Sequence, residues 1–524
     1  MLFGTAKLLD SAMSLLVLPK NPDGRLEFLQ AERAFARGHW AEASRAYAAA
    51  AALDRTCWIC YWRHAEVIRW FDLQDDPVDT ARYQAHVADF PDYYQTLIRS
   101  ERLPERARLD SLGALDRRWK DFLFGQFRRG DELLHRGPLV GHPRREAIEP
   151  LERVVNLQPQ FAPGLQHLAQ AHIAAGDSAE AAVALGRAEG LSNPGDPSFA
   201  TLALLELAAA WRFMPREAAL RRTDELVALA RGAGILDIDA GARYLAGFGS
   251  PEGELALAER LLREPGFARS AGIARVLALV GLGQPDTAIA LARGLSKTFP
   301  DLTFFATELA AATILFDADS ARVATAWPAV RAALARDTTE PRAVWMLKMV
   351  EATSAEHRDR TARSAMPVED STSQPRAALL GATTRAAQGY VALALEATNA
   401  LTSVPARSID DPFLRAALHL LRAHWYERTG RPGDARSELV WAENADLLGY
   451  PKRDPQAAEV DWAFAPLAQW RLAVLLEQVR GSRDDTCRAY REVARLWAGG
   501  EARYRARADT AAHRLGALGC RSGA

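Results

Sequence analysis

The sequence predicts an all-α protein built as a solenoid of short helix pairs. Apolar residues recur with helical spacing along most of the 524 residues, and no convincing alternating strand pattern occurs. Residues 37–50 (RGHWAEASRAYAAA) combine a glycine that ends one helix with small and aromatic packing positions in the next. The pattern recurs with a period of about 34 residues, which is typical of stacked helical repeats.

The first repeat runs from Gly24 to Arg55, with Ala43, Tyr47 and Ala50 as its predicted packing positions. Small residues let two helices approach closely, and the larger aromatic ring fills the space between neighbouring pairs. The period is lost over residues 201–253 and 305–400. Equivalent positions in later copies are Ala147 and Val154, Ala181 and Leu185, Ala288, Ala435 and Leu439, and Tyr490 and Val493.

Four segments are predicted: a capping helix at 1–23, an N-terminal solenoid at 24–350, a polar loop or hinge at 351–376, and a C-terminal solenoid at 377–524. Residues 351–376 are rich in Ser, Thr and Pro and have almost no apolar face, which favours a long loop between the two halves. A glycine-rich stretch at 232–253 marks a second break.

The N-terminal apolar run, residues 2–18, is interrupted by Lys7 and Asp10. It has no basic flank and no small-residue cleavage site, and it is too short to span a bilayer. We therefore expect no secretory signal and no membrane insertion. A vestige of an upstream membrane segment or linker is the alternative.

The formal net charge of −1 gives no reason to expect a nucleic-acid or anionic-membrane partner. Four cysteines in a chain of this length do not indicate a disulfide framework, so a reducing, cytoplasmic location is the simpler expectation.

The motif Cys57-Trp58-Ile59-Cys60 is compatible with a redox pair or half of a zinc site. Haem attachment is excluded because Tyr61 follows the motif instead of a histidine. A redox pair of the thioredoxin type needs a preceding strand, and a zinc site needs further ligands beyond His64, which shares the helix face. We predict buried free thiols among aromatic side chains.

Other polar residues also point to structural roles. His135 and His142 flank a loop, while His167 and His172, like His419 and His424, lie five residues apart on one helix and should diverge. The acidic pairs at 75–76 and 484–485 suit solvated turns or helix N-termini, and the basic runs at 117–118, 128–129 and 503–514 are balanced by nearby acids. No phosphate loop, dinucleotide fingerprint, nucleophile elbow or kinase motif occurs, so the sequence predicts no enzyme, no metal and no cofactor.

These repeats resemble the tetratricopeptide family. A narrower likeness is to the repeat regions downstream of bacterial serine/threonine kinase, adenylate cyclase or DNA-binding activator domains; its matching pieces are residues 31–54, 101–112, 135–169 and 489–518. The resemblance implies a right-handed superhelix that binds a protein or regulates an attached output domain. This chain has no such output domain, which leaves open a subunit acting in trans or a gene shortened at its start.

The resemblance also implies a concave groove formed by the first helix of each pair. Predicted first helices 27–37, 162–175 and 416–429 carry neither Asn nor Lys, so the clamp for chaperone C-termini is rejected. We predict a noncatalytic scaffold for a protein or peptide partner in bacterial signalling or regulation; the alternative is a ligand-sensing regulator with a small-molecule pocket among the aromatics of 58–94. The predicted groove residues are Arg33, Arg37, Gln166, Gln170, Arg422 and Arg428.

Overall fold

A computed structural model describes residues 18–72, 76–192, 197–233, 245, 247–264, 266–317, 320–336, 416, 419–420, 422–424, 426–427, 429–443 and 463–520. Every regular element in these ranges is helical, which confirms the all-α prediction for the part of the chain described. The chain divides into two compact units, residues 1–237 with 444–451 and residues 238–443 with 452–524. Among the described residues, no helix is long and apolar enough to cross a membrane.

The helices of the first unit are α1 (Pro22–Ala36), α2 (Trp40–Leu53), α3 (Trp58–Asp72), α4 (Pro77–Ala85), α5 (Asp92–Ser100), α6 (Glu105–Arg118), α7 (Leu123–His135), α8 (Ile148–Leu157), α9 (Ala162–Ala175), α10 (Ser178–Glu189), α11 (Pro197–Phe213) and α12 (Arg216–Ala233). Short 3₁₀ turns lie at Val87–Asp89, Gly137–Val140 and Arg144–Ala147.

The ends of these helices follow from local chemistry. Asn21 caps α1 because its side-chain oxygen accepts hydrogen bonds from the backbone of Asp23 and Gly24. Asp76 does the same for α4 by accepting from Val78 and Asp79, which confirms its predicted place at a helix N-terminus. Gly176 ends α9 with a φ of 88°, a left-handed conformation that favours glycine.

From α1 to α4 and again from α5 to α12, consecutive helices pack against each other in chain order, as expected for stacked pairs. Ala43, Tyr47 and Ala50 of α2 are fully buried, so their predicted packing role is confirmed. Helices α11 and α12 cover part of the region where the sequence period is lost. Helix pairing therefore continues where the repeat motif fades.

The helices of the second unit are α13 (Pro251–Leu261), α14 (Ala268–Gly281), α15 (Pro285–Thr298), α16 (Thr303–Asp317), α17 (Ser320–Arg336), α18 (Pro432–Leu439), α19 (Ala465–Gln478), α20 (Arg483–Leu496) and α21 (Ala502–Ala517). Residues between 416 and 427 are helical where described. Short 3₁₀ turns lie at Pro300–Leu302 and Val440–Glu443.

The C-terminal helices of this unit pack against helices far earlier in the chain. The buried Trp497 donates from its indole nitrogen to the carbonyl of Gly281, at 3.2 Å. Glu501 caps α15 by accepting from the backbone N–H groups of Asp286 and Thr287. Residues on both sides of the predicted hinge therefore share one core.

The predicted hinge at 351–376 lies outside the described residues, and its role stays a prediction. The boundary between the two units, at residues 237 and 238, falls within the glycine-rich stretch named as a second break.

Candidate functional site

The predicted groove residues differ in exposure. Arg33 is exposed on α1, and Arg37 is exposed at the C-cap of that helix. Leu26, which is 56% exposed, and the exposed Gln30 lie on the same side of α1 as Arg33. By contrast, Gln166, Gln170 and Arg422 are buried, and Arg428 lies outside the described residues. Of the predicted residues that the structure describes, Arg33 and Arg37 are the ones with side chains open to a partner.

Gln166 and Gln170 are buried because first helices of the first unit pack against each other. Helix α9 contacts α7 and α11 as well as its neighbours in the chain. The ring of Phe161, just before α9, lies 5.1 Å from that of Phe127 on α7 and 5.9 Å from that of Phe35 on α1. Alternate helices in contact are the arrangement of stacked two-helix repeats. The fold is a solenoid of tetratricopeptide-like helix pairs.

Arg63 of α3 occupies the centre of this packed region and is completely buried. Its guanidinium lies 4.1 Å from the ring centre of Phe35 and 4.3 Å from that of Phe124, in position for cation–π contacts. Its Nε donates to Glu32 of α1 at 2.8 Å, and its Nη1 donates to Glu66 at 2.5 Å. Three first helices are thus joined through one arginine.

The ionic contacts continue across the unit. Glu66 accepts from Nη2 of Arg128 on α7 at 2.6 Å, and Arg128 also lies 3.6 Å from Glu101 and 3.6 Å from Asp131. Asp131 in turn lies 3.2 Å from Nε2 of His167 on α9. We call this row of charged and polar side chains the polar spine. Its members are Glu32, Arg63, Glu66, Glu101, Arg128, Asp131 and His167.

Burial and neighbouring charges shift the pKa values of several residues in the polar spine. Burial alone lowers the pKa of Arg63, but the negative charge of Glu32 and the other acidic neighbours outweighs it and raises that pKa well above its usual value. Burial alone raises the pKa of Asp131, yet a hydrogen bond from His167 and the positive charges of His135 and Arg128 hold it well below its usual range. Burial also raises the pKa of Glu101.

A serine, a histidine and an aspartate form a hydrogen-bonded chain at the other side of α3. Ser44 Oγ lies 3.2 Å from Nε2 of His64, whose Nδ1 lies 2.7 Å from Asp79. The order of atoms matches a hydrolytic triad. A hydrolase also needs N–H donors for the oxyanion, and the backbone N–H of Ala43, next to Ser44, already donates to the carbonyl of His39. We interpret this chain as a tie between α2, α3 and α4.

Both cysteine pairs are disulfides, so the prediction of free thiols is wrong. Cys57 bonds to Cys60 at the start of α3, and Cys487 on α20 bonds to Cys520 after α21. No free cysteine occurs among the described residues. Cys487 and Cys520 are 33 residues apart and meet because α20 and α21 pack against each other. A short CxxC spacing also closes a disulfide readily at a helix start, with Cα atoms 5.3 Å apart.

The described aromatic side chains of 58–94 are largely packed. Trp62 contacts Tyr94 and Phe124 edge to face, with ring centres 5.5 and 6.3 Å apart, and it is almost fully buried. A cavity of about 180 Å³ lies beside Trp58 and Phe90. Sites for drug-sized ligands are about 300–1,000 Å³. Interlocked rings and this small cavity do not favour the ligand-sensing alternative.

Comparisons with known proteins add little. No protein-family model matches the chain, and no curated protein matches it. Among solved structures, the chain is similar to the crystal structure of the P58(IPK) TPR domain, with 13% identity over 95% of this chain and 100% of that chain. The TM-score is 0.17, so this likeness carries no argument. The fold assignment rests on the helix pairs described above.

The sequence-based search missed the polar spine because its members are scattered singly along several helices. The spacing of some residues along the sequence did point to their contacts. His135 and His167 are 32 residues apart and Arg63 and Glu32 are 31 apart, close to the repeat length. Residues one repeat apart occupy equivalent places on neighbouring pairs, so this spacing predicts proximity.

Proposed function

We propose that this protein is a noncatalytic scaffold that binds a protein or peptide partner through exposed residues of its first helices. The observation that supports the proposal is the exposed stripe on α1, where Arg33 and Arg37 lie on a helix whose opposite face is buried. Stacked helical repeats commonly present such a surface to partners. A basic stripe fits an acidic or polar segment, because charge complementarity steers encounter and specificity.

The partner that we propose is a signalling enzyme or regulator of a bacterial host, as the sequence resemblance implies. The experiment is co-precipitation from the native host with the wild-type chain, with the Arg33→Glu/Arg37→Glu variant, and with the Arg45→Glu variant. Arg45 is exposed on α2, the second helix of the same pair, and is the matched control.

A specific partner should be retained by the wild type and by Arg45→Glu, and lost from the double variant. Higher salt should weaken the complex, because exposed charges are screened. If all three proteins captured the partner equally, the proposed role of α1 would be refuted. It would also be refuted if the partner were lost only with Arg45→Glu.

We also propose a cellular compartment different from the cytoplasm that the sequence led us to expect. The expectation of a cytoplasmic protein depended on unpaired cysteines, whereas both pairs are bonded. Disulfides persist mainly in oxidising compartments. We therefore propose an oxidising location, tested by trapping free thiols with a maleimide in acid-quenched host cells. All four cysteines should resist labelling until a reductant is added; immediate labelling of all four would restore the cytoplasmic expectation.

A further inference from the structure

Three side chains with metal-binding atoms converge between α7 and α9. His135 Nε2 lies 3.3 Å from His167 Nε2, and Asp131 Oδ1 lies 3.2 Å from His167 Nε2 and 3.6 Å from His135 Nε2. Two imidazoles and a carboxylate therefore bring one possible ligand atom each to within 4.8 Å of the other two.

These separations, 3.2, 3.3 and 3.6 Å, are close to the spacing of ligands around a tetrahedral ion. Zinc binds nitrogen at about 2.0–2.1 Å and carboxylate oxygen at about 2.0–2.2 Å, so tetrahedral ligands lie about 3.3–3.6 Å from each other. Octahedral ligands at the same bond lengths would lie about 3.0 Å apart. The set of two nitrogens and one oxygen suits zinc and disfavours calcium or magnesium, which prefer oxygen.

The tautomer of His167 is fixed by its second nitrogen. Its Nδ1 lies 2.8 Å from the carbonyl oxygen of Pro163, which can only accept, so Nδ1 carries a hydrogen. In the neutral ring Nε2 then presents a lone pair towards Asp131 and His135. A bound cation would take the place of the hydrogen that Nε2 donates to Asp131 when no metal is present. A histidine that binds a metal through one ring nitrogen usually donates a hydrogen bond from the other, often to a backbone carbonyl, and this bond fixes its tautomer and orientation.

The carboxylate is supported in the same way. Asp131 directs Oδ1 at the two histidines, while its Oδ2 lies 3.6 Å from Nη1 of Arg128. Arg128 is shared with Glu66 and Glu101, so its positive charge is already matched by acids. The polar spine therefore orients Asp131 and leaves the point between the three ligand atoms suited to a cation.

The cluster is also accessible. In α9, which is buried along most of its length, His167 is partly exposed; the side chains of His135 and His167 are 19% and 11% exposed. Three protein ligands leave a fourth tetrahedral position for water, as in zinc sites that keep an open position.

We propose that Asp131, His135 and His167 form a zinc site with an open fourth position. A second cluster, His64 with Asp76 and Asp79, competes for the same interpretation. There one histidine nitrogen faces both carboxylates, at 2.7 and 3.9 Å, while its other nitrogen bonds to Ser44. A single nitrogen with two acids resembles a hydrogen-bonded pair more than a tetrahedral ligand set.

The test is calorimetric titration of Zn²⁺ into the tag-free, chelator-stripped full chain. Wild type should bind one Zn²⁺ per chain at this site. His135→Gln and His167→Gln should each weaken binding by about 100-fold or more, since loss of supporting groups alone costs about 10–100-fold. Circular dichroism confirms that each variant is folded. The matched controls are His142→Gln, an exposed histidine paired with Glu146, and His64→Gln.

Zinc X-ray absorption of the wild-type complex gives a readout independent of the variants' stability. We expect low-atomic-number ligands at about 2.0 Å, with imidazole scattering from two rings and no sulfur. Failure of the wild type to bind zinc would overturn the proposal. So would unchanged binding by His135→Gln and His167→Gln, or loss of binding in His64→Gln alone.

Discussion

At the residue scale, Arg63 shows how a charge is kept inside a helical repeat. It makes charge-assisted hydrogen bonds with Glu32 and Glu66 while its faces lie against Phe35 and Phe124. A buried ion pair gains little overall, because the attraction must first offset the loss of hydration. Removal of one partner is costly because the other remains buried and unpaired.

Arg63→Ala should therefore lower the free energy of unfolding by about 3–5 kcal/mol, since two carboxylates lose their partner. Arg45→Ala, on the exposed face of α2, should change it by less than about 0.5 kcal/mol. Urea denaturation at neutral pH measures both. A loss below about 1 kcal/mol for Arg63→Ala would contradict the central role of this residue.

Tyr47 leads to a prediction about pH. Burial, together with the negative charge of Glu32, raises the pKa of its hydroxyl well above 10.0, although Arg63 acts in the opposite direction. In the unfolded chain tyrosine ionises near pH 10, whereas folded Tyr47 stays neutral at that pH. The stability that neutral Tyr47 contributes is therefore complete below pH 10 and is lost as the pH rises above it.

Tyr47→Phe should be less stable than wild type at pH 8, because Glu32 loses a hydrogen bond of 2.5 Å; the cost is about 1.5–3 kcal/mol. This difference should shrink as the pH rises from about 9.5 to 11, where only the wild type has the hydroxyl to ionise. Urea unfolding of both proteins across that range tests the sign. A constant difference would show that Tyr47 ionises alike in both states.

At the element scale, close approach of helices depends on glycines that sequence alone does not distinguish. A Cβ added to Gly130 of α7 would lie 2.6 Å from Leu151 Cγ on α8, closer than van der Waals contact allows. A Cβ added to Gly186 of α10 would meet no atom within 4 Å. Both glycines are helical and differ in what faces them.

Gly130→Ala should destabilise the protein by about 1–3 kcal/mol, because α7 and α8 must shift apart. Gly186→Ala should instead stabilise it by about 0.5–1 kcal/mol, because alanine is the better helix former and has room. Thermal and urea unfolding should therefore show changes of opposite sign in the free energy of unfolding of the two variants. Equal effects would mean that α7 and α8 do not pack as closely as described.

Helix formation itself was predictable from the sequence. The recurring small and aromatic positions, such as Ala43 and Tyr47, are buried as expected, and the end of α9 at Gly176 follows the glycine signal. Such signals act within one or two turns of chain. Which side of α9 becomes buried was not predictable, because α7 and α11 cover it from outside the repeat, and Gln166 and Gln170 are enclosed as a result.

At the scale of the whole molecule, the second unit closes through contacts between residues far apart in the chain. Asp317 at the end of α16 binds Arg503 and Arg507 of α21 at 3.0 and 2.8 Å, and it accepts from Tyr504. The Cys487–Cys520 disulfide then joins α20 to the residues that follow α21. Helix α21 is therefore fixed to α16 by ion pairs, and the residues that follow it are joined to α20 by the disulfide.

Replacing both Cys487 and Cys520 by alanine should lower the free energy of unfolding by about 2–4 kcal/mol, because the bond restricts a loop of 33 residues in the unfolded chain. Oxidised wild type and variant should be compared by urea denaturation. Thiol titration of denatured, unreduced wild type should find no free cysteine. Equal stability of the two proteins, or four free thiols in the wild type, would contradict the structure.

The sequence by itself determined that this chain forms helices, where many of them end, and which small and aromatic residues face the next pair, because those properties depend on neighbours within a few turns. A spacing of one repeat places two residues on neighbouring helix pairs, but tertiary structure alone decided which of those side chains meet. Glu32 reaches Arg63 and His135 reaches His167 because successive helix pairs stack with a particular rotation, and Cys487 reaches Cys520 because α20 packs against α21. That rotation depends on the shape of whole helix faces, which local periodicity does not specify.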